Sequence, residues 1–199
     1  LKSGRDLFDK CATSESHNRE MSLEDIRFAR LGEQWPADVI NARKMEQRPC
    51  LTINKMQAFI RQVVNDSRQN KPQIKVKPVD DNADRKTADV ISGLIRNIEH
   101  ISKADIAYDT AVDCAASMGF GYFRVRVDYE YDDSFDMGIF IDPVPNPFSV
   151  YGDPHATSLD GSDWNVAFVT DVLDKDVFQR KYKGAEPVSW TSGSYAELK

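Results

Sequence analysis

The spacing of apolar residues changes after residue 118, and this change constrains the fold more than any other feature of the chain. Before it, apolar side chains recur every three or four residues, as in helices with one buried face. From Tyr122 onward apolar and polar side chains alternate, which is typical of half-buried strands. Gly119 lies between the two patterns, where glycine often ends a helix. Helices followed by strands predict an α+β fold, with N-terminal helices and a small, mainly antiparallel sheet packed on helices.

The first fifty residues are predicted to form an N-terminal helical segment of mostly polar composition. Ser22 with Asp25 predicts a capping box, Gly32 a helix end, and Pro36 the first turn of another short helix. We expect an α+β domain over 51–199 to follow. Because the chain starts at Leu1 and stops at Lys199 inside a helix-forming stretch, we expect it to be a piece of a longer chain.

The clearest helix of the sequence is predicted to begin at Asn54, a favourable N-cap residue. Its apolar residues recur at i, i+3, i+4, i+7 and i+8, which predicts a single buried face. They are Met56, Phe59, Ile60, Val63 and Val64. We expect this face to pack near Ile98 or near the alanine-rich helix described next. Beyond it, Ile74 and Val76 alternate with lysines before Pro78, which predicts a half-buried strand.

Two more helices and a hairpin complete the predicted elements. Asp84 begins a helix with one broad apolar face, and Ser102 with Asp105 predicts a capping box for a third helix. The apolar face consists of Val90, Ile91, Leu94, Ile95, Ile98 and Ile101, and the third helix is rich in alanine (Ala104, Ala107, Ala111, Ala115 and Ala116). The polar stretch 132–134 and Gly138 predict a hairpin turn into Ile139–Ile141. A strand at Val166–Thr170 and a helix from Asp174 to about Tyr182 follow.

Bulk composition excludes several classes of protein. No apolar run reaches the length of a membrane span, so we expect no membrane partner, anchor or signal peptide. Three cysteines without CxxC spacing argue for reduced thiols in a cytosolic setting, and against a disulfide framework or a zinc site. No phosphate-binding loop and no nucleophile elbow is present, so the sequence predicts neither nucleotide hydrolysis nor a cofactor.

Charge is distributed unevenly along the chain. Residues 1–79 contain 15 Lys and Arg against 10 Asp and Glu, whereas residues 80–199 contain 11 against 22. Within 48–77 seven cations accompany only Asp66, and we call these cations the basic belt: Arg48, Lys55, Arg61, Arg68, Lys71, Lys75 and Lys77. The belt is a candidate for contacts with another subunit or with phosphates, or it is the solvated side of a helix.

Several short motifs of the sequence occur in an order that resembles one family. They are Arg48–Lys55, Arg61–Asp66, Val79–Asp81, the stretch Gly119–Pro154 with Asn146, Pro147, Phe148, Asp153 and Pro154, and Asp160–Trp164. Together they cover roughly residues 40–185. In this order they resemble the portal, or head-to-tail connector, proteins of short-tailed bacteriophages, and specifically the N-terminal wing portion of such a protein.

The resemblance implies a structural function rather than catalysis. It implies a subunit of a dodecameric ring at one vertex of a virion capsid, assembled in the host cytoplasm. Double-stranded DNA would pass through this ring non-specifically during packaging and ejection. The implied partners are further copies of the chain, the terminase packaging motor, the capsid, and tail or adaptor proteins. The residues at 146–148 and 153–154 would be structural parts of the family motif.

Two alternatives of other classes stay open at the level of sequence. The basic belt suits a nucleic-acid-binding adaptor, although the net charge of −6 is unusual for a tight DNA binder. The carboxylates of Asp132, Asp133, Asp136 and Asp142 suit a metal-dependent nuclease, although acidic residues in a turn more commonly keep that turn solvated.

Overall fold

The structure is a computed structural model that describes residues 2–71, 73–79, 84–131, 133, 135–158 and 161–184. The chain forms two compact units, Leu1–Phe168 and Val169–Lys199. The first unit contains both the N-terminal helices and the hairpin that follows them. The predicted domain boundary near residue 50 stays a prediction.

The N-terminal part is a long helix rather than a series of short ones. Helix α1 (Lys2–Ile26) continues into a π-helical turn (Arg27–Leu31), which ends at Gly32 with a left-handed φ of 71°. Helix α2 (Ala37–Met45) begins after Pro36, as predicted. The predicted capping box at Ser22 is wrong, because Ser22 lies inside α1 and its hydroxyl donates to the Asn18 carbonyl. A serine inside a helix can bond the carbonyl four residues earlier, at a small cost to helix stability.

Three helices follow, and their starts and ends agree well with the sequence. Helix α3 (Met56–Gln69) begins beside Asn54, whose side-chain oxygen accepts from the Met56 N–H at 3.0 Å. Helix α4 (Arg85–Ile101) is capped by Asp84, as predicted. Helix α5 (Ala104–Met118) ends at Gly119, which adopts a φ of 92°.

Two local predictions fail in this region. The capping box at Ser102 is wrong: α5 begins after Lys103, which adopts a φ of 51°, and no side chain caps it. The strand predicted at Ile74 and Val76 is also wrong, since residues 73–79 belong to no sheet in the described chain. A strand needs a neighbouring strand to pair with, and within the described residues no strand pairs with this segment.

The predicted hairpin is confirmed. Strands β1 (Phe123–Tyr129) and β2 (Met137–Pro143) pair antiparallel, with Val125 opposite Ile141 and Val127 opposite Ile139. After a 3₁₀ turn (Pro147–Ser149), β3 (Val150–Tyr151) and β4 (Phe168–Val169) form a second two-stranded sheet. Helix α6 (Lys175–Lys181) follows Asp174 in the second unit. The α+β class is therefore confirmed.

The first unit is held together by four small apolar clusters rather than one large core. Each cluster joins an N-terminal helix or α5 to a later element, so the clusters connect parts of the first unit that are distant in sequence. The buried members are Phe8, Cys11 and Tyr151; Ala29, Ile60 and Val64; Ala104, Ala107 and Ile141; and Cys114, Met118 and Phe148. Gly121 lies so close to α5 that a Cβ there would be 2.0 Å from the Ala111 carbonyl oxygen.

Candidate assembly surfaces

The motif at residues 146–148 forms a compact corner between β2 and β3. The Asn146 side chain accepts a hydrogen bond from the Phe148 N–H at 3.1 Å, and Pro147 occupies the first turn of the 3₁₀ helix. Pro147 and Phe148 are both buried. The Phe148 ring packs edge-on against Phe120 with 5.6 Å between ring centres. The motif therefore fixes the chain direction after the hairpin.

Arg19 of helix α1 clamps this corner from the other side. Its guanidinium donates to the Phe148 carbonyl at 2.6 Å and also to the Val150 carbonyl. The same group lies 3.7 Å from the centre of the Tyr151 ring and only 13% of the side chain is exposed. Arginine suits this position because its planar fork can bond two carbonyls while it stacks on an aromatic ring.

Glu15 completes the clamp, one helical turn before Arg19. One of its oxygens pairs with the Arg19 guanidinium at 2.9 Å, and the other accepts the Gly152 N–H at 2.8 Å. Helix α1 is thus bonded to three backbone groups of the 148–152 segment. We call Glu15 and Arg19 the α1 clamp.

The next loop is ordered by two aspartates that bond backbone groups. Asp153 accepts from the His155 N–H at 2.9 Å and from the main chain and side chain of Asn165, and these hydrogen bonds hold the pKa of Asp153 below its usual value. Asp163 accepts from the Thr157 N–H at 2.6 Å and from the Ser158 N–H, which lowers the pKa of Asp163 in the same way.

Trp164 closes this loop against the corner. A Cβ added at Gly152 would lie 2.6 Å from the indole ring, so only glycine fits there without a shift. Pro154, of the same motif, is half-buried. The residues 153–154 therefore serve local structure, whereas any role in the family motif stays a prediction.

The basic belt divides into paired and unpaired members. Arg68 and Lys71 pair with helix α5, with Arg68 2.9 Å from Asp109 and Lys71 2.8 Å from Asp105. Arg48 pairs with its neighbour Glu46 at 3.3 Å. Within the described ranges the structure gives no ion pair to the other four belt residues, which are Lys55, Arg61, Lys75 and Lys77. All four are exposed.

The apolar face predicted for α3 is only partly buried. Ile60 and Val64 are 7% and 5% exposed and pack with Val112 of the alanine-rich helix, as predicted. The expectation that Met56, Phe59 and Val63 face the core is wrong, and Phe59 is 61% exposed. Ile98 packs elsewhere, against the cluster that contains Ala104, Ala107 and Ile141. Ile60 and Val64 lie on one side of a wider apolar face of α3. The contact with α5 covers only that side and leaves the rest of the face exposed.

Helix α4 and the hairpin also carry apolar side chains that the described part of the chain leaves exposed. On α4, Leu94 is 57% exposed, and Val90, Ile91 and Ile101 are exposed as well. On the hairpin, Val127 is 58% exposed, and so are Val125, Tyr129, Met137 and Ile139. Exposed apolar faces of this extent typically mark surfaces that another chain or segment covers.

The polar side of the hairpin is acidic toward its tip. Arg126 bonds Asp142 at 2.8 Å and also Asp128, so both carboxylates are engaged. Between residues 128 and 136 five acidic residues occur without a single Lys or Arg. They are Asp128, Glu130, Asp132, Asp133 and Asp136. Asp132 lies outside the described residues.

The described part of the chain contains no cluster of metal-ligating side chains. No group of three or more His, Cys, Asp or Glu there could hold a metal ion. Cys11 and Cys114 are buried, and burial raises the pKa of each thiol, which disfavours the reactive thiolate. Among the described helices, none is long and apolar enough to cross a membrane.

Sequence reasoning missed the α1 clamp, although the corner it holds was singled out. Arg19 contacts carbonyls 129 and 131 residues away, and no sequence pattern predicts that a side chain will bond such distant backbone groups. The weak signal available was Glu15 and Arg19 at i, i+4 spacing on a mostly polar helix, which usually indicates only a surface ion pair.

Comparison with known proteins agrees with this architecture. The model of the phage P22-like portal protein family matches residues 5–198. A portal protein of Acyrthosiphon pisum secondary endosymbiont phage 1 is 29% identical over 195 residues. That alignment covers 94% of this chain and 27% of the relative, so the chain spans about a quarter of the relative's length. The family match extends over nearly the whole sequence, and the chain therefore belongs to the P22-like portal protein family.

Proposed function

We propose that the chain is part of a structural subunit of a phage portal ring, through which double-stranded DNA is packaged into the capsid and later ejected, and to which the tail attaches. The single observation that carries this proposal is the family match over residues 5–198. The ring is a dodecamer located at a capsid vertex and assembled in the host cytoplasm. Its partners are the terminase motor, the capsid and the tail or adaptor proteins.

The uncovered apolar surfaces support assembly with further polypeptide. Phe59 on α3, Leu94 on α4 and Val127 on β1 are each more than half exposed. A closed ring of identical subunits buries two different surfaces of each copy, because every contact in it is heterologous. Exposed faces on three separate elements suit such a ring better than a twofold dimer, which needs one self-complementary face.

The proposed role requires no catalysis by this part of the chain. We propose that the basic belt serves contacts between subunits, so that Arg61, Lys75 and Lys77 meet acidic groups of a neighbouring copy. A conduit also gains from weak DNA contacts, since each tight contact would have to be broken as the duplex moves. The negative charge of residues 80–199 further weakens attraction to phosphates.

A nucleic-acid-binding adaptor is the second candidate function, because four belt cations have no ion-pair partner within the described ranges. Fluorescence anisotropy with duplex DNA over a salt series separates the two functions. The portal proposal predicts sequence-independent binding no tighter than about 10⁻⁴–10⁻⁶ M at physiological salt. Nanomolar, sequence-selective binding that is lost on Arg61→Glu would favour the adaptor.

Native mass spectrometry of the full-length gene product tests the ring directly. We expect one closed oligomer of twelve copies, and the same sample should leave nucleoside triphosphates and plasmid DNA intact in the presence of magnesium. A monomeric full-length product would contradict the proposal. DNA cleavage that disappears on Asp133→Asn or Asp142→Asn would favour the nuclease instead.

A further inference from the structure

Residues 73–79 have the sequence of a strand but no strand partner. Ile74 and Val76 alternate with Lys75 and Lys77, and the run ends at Pro78. In the described chain the only hydrogen bond given for this segment runs from the Val76 N–H to Ser92 Oγ, at 3.4 Å. Ile74 is 52% exposed, and both lysines are exposed. The segment therefore presents backbone donors and acceptors, apolar side chains and two cations to its surroundings.

Strand β1 offers the complementary surface. It pairs only with β2 among the described strands, so its outer edge is unpaired. Every β1 residue except Arg126 is exposed, whereas β2 contains the buried Ile141. An unpaired edge strand is a ready template for another strand, unless it is covered or blocked.

The two surfaces match in side-chain order and in charge. On β1 the apolar side chains Val125 and Val127 point to one face of the sheet, and Arg124, Arg126 and Asp128 point to the other. Beyond the strand, the tip of the hairpin carries Glu130, Asp133 and Asp136 without a Lys or Arg. A strand laid beside the C-terminal end of β1 with Ile74 on the apolar face places its lysines on the polar face, next to Asp128 and the acidic tip of the hairpin. Opposite charges on neighbouring strands stabilise the pairing by about 0.2–1 kcal/mol for each pair.

We propose that residues 73–77 of one copy add as a strand to the outer edge of β1 in a second copy. This contact rests on the proposed ring function and names one of its subunit interfaces. It is heterologous, because the donor segment and the acceptor edge are different parts of the chain. Main-chain hydrogen bonds supply the affinity, and Lys75 and Lys77 against the acidic tip of the hairpin set the specificity.

Charge-swap variants of the 199-residue chain test the contact. The first variant is Lys75→Glu with Lys77→Glu, the second is Glu130→Lys with Asp133→Lys, and the third combines all four substitutions. A matched control is Lys10→Glu with Lys44→Glu, two exposed lysines on helices α1 and α2 that carry the same change in charge. Sedimentation velocity over a concentration series gives the association constant of each variant.

We expect each double variant to weaken self-association at least about tenfold, because attraction becomes repulsion at two positions. The fourfold variant should recover most of the loss, and the control should match the wild type. In the wild type, hydrogen exchange of the amides of 73–77 and of β1 should slow as the concentration rises. A purely electrostatic contact elsewhere would leave these amides unchanged.

The outcomes separate this contact from the ring itself. A wild-type chain that stays monomeric through the series overturns the strand contact, and so does a fourfold variant no better than the doubles. Full-length rings that persist with Lys75→Glu and Lys77→Glu overturn the contact while leaving the ring function intact. A wild-type full-length product without rings overturns the proposed function instead.

Discussion

Replacing Arg19 by alanine should destabilise the first unit more than breaking any one of the exposed ion pairs does. The change removes two charge-assisted hydrogen bonds, to the carbonyls of Phe148 and Val150, and both of these residues are buried. Each such bond contributes about 1.5–3 kcal/mol when its acceptor is left without a partner. The stacking on Tyr151 adds about 0.5–2 kcal/mol in this shielded position.

Because these contributions belong to one side chain and are not independent, we expect a total loss of about 3–5 kcal/mol rather than their full sum. Arg19→Lys keeps the charge but not the planar fork, so it should cost about half as much. Arg43→Ala is the matched control, since Arg43 stacks on Trp35 at 4.7 Å without a hydrogen bond given for its side chain in the described chain. The control should lose about 0.5–1 kcal/mol.

Urea titration followed by circular dichroism measures these losses at protein concentrations where the chain is monomeric. The Gly152 N–H donates a hydrogen bond to the Glu15 carboxylate, so the hydrogen-exchange rate of this amide reports locally on the clamp. A loss below about 1 kcal/mol for Arg19→Ala, equal to that of the control, would refute the clamp as a stabilising contact. Unchanged exchange at Gly152 would refute it independently.

Three further predictions concern single positions. Ile60→Ala should lower the free energy of unfolding in urea titration by about 2–4 kcal/mol, because Ile60 is 7% exposed. Phe59→Ala should lower that of the monomer by less than about 1 kcal/mol. The reverse order would show that the buried side of α3 is misplaced. Asp153 and Asp163 have lowered pKa values in the folded chain, so their contribution to the free energy of unfolding is fully present above the unfolded-state pKa near 3.9. That contribution is lost as the pH falls from there through the folded-state pKa. Asp163→Asn should therefore reduce the acid-side loss of stability in thermal melts, and an unchanged acid profile would contradict the assignment. Gly121→Ala should destabilise the chain by about 1–3 kcal/mol, because the new Cβ would meet the Ala111 carbonyl. Gly4→Ala, in open space on helix α1, should stabilise the chain by up to about 1 kcal/mol. Equal effects would disprove the close approach of Gly121 to α5.

Local features of the fold could be predicted because their causes are local. Asn54 and Asp84 begin helices by bonding backbone groups two residues away, and Gly32 and Gly119 end them in left-handed conformations. The hairpin follows from alternation around a short polar turn. Such signals need no knowledge of distant parts of the chain.

Features that depend on distant or external partners could not be predicted in the same way. The apolar pattern of α3 shows which side chains avoid water, but it does not tell whether α5 or another copy covers Phe59. The segment at Ile74 and Val76 has the pattern of a strand, yet a strand requires a neighbour that the described chain does not provide. The α1 clamp uses backbone carbonyls, which every residue carries, so no sequence motif marks its acceptors.

Electron microscopy of the full-length gene product at a resolution that traces the backbone tests the central claim most directly. The account predicts a closed ring with cyclic symmetry, in which residues 73–77 of each copy lie against β1 and the acidic hairpin tip of the next, and in which the exposed side of α3 is covered. Monomers, twofold dimers, or a ring in which these surfaces all face solvent would contradict it.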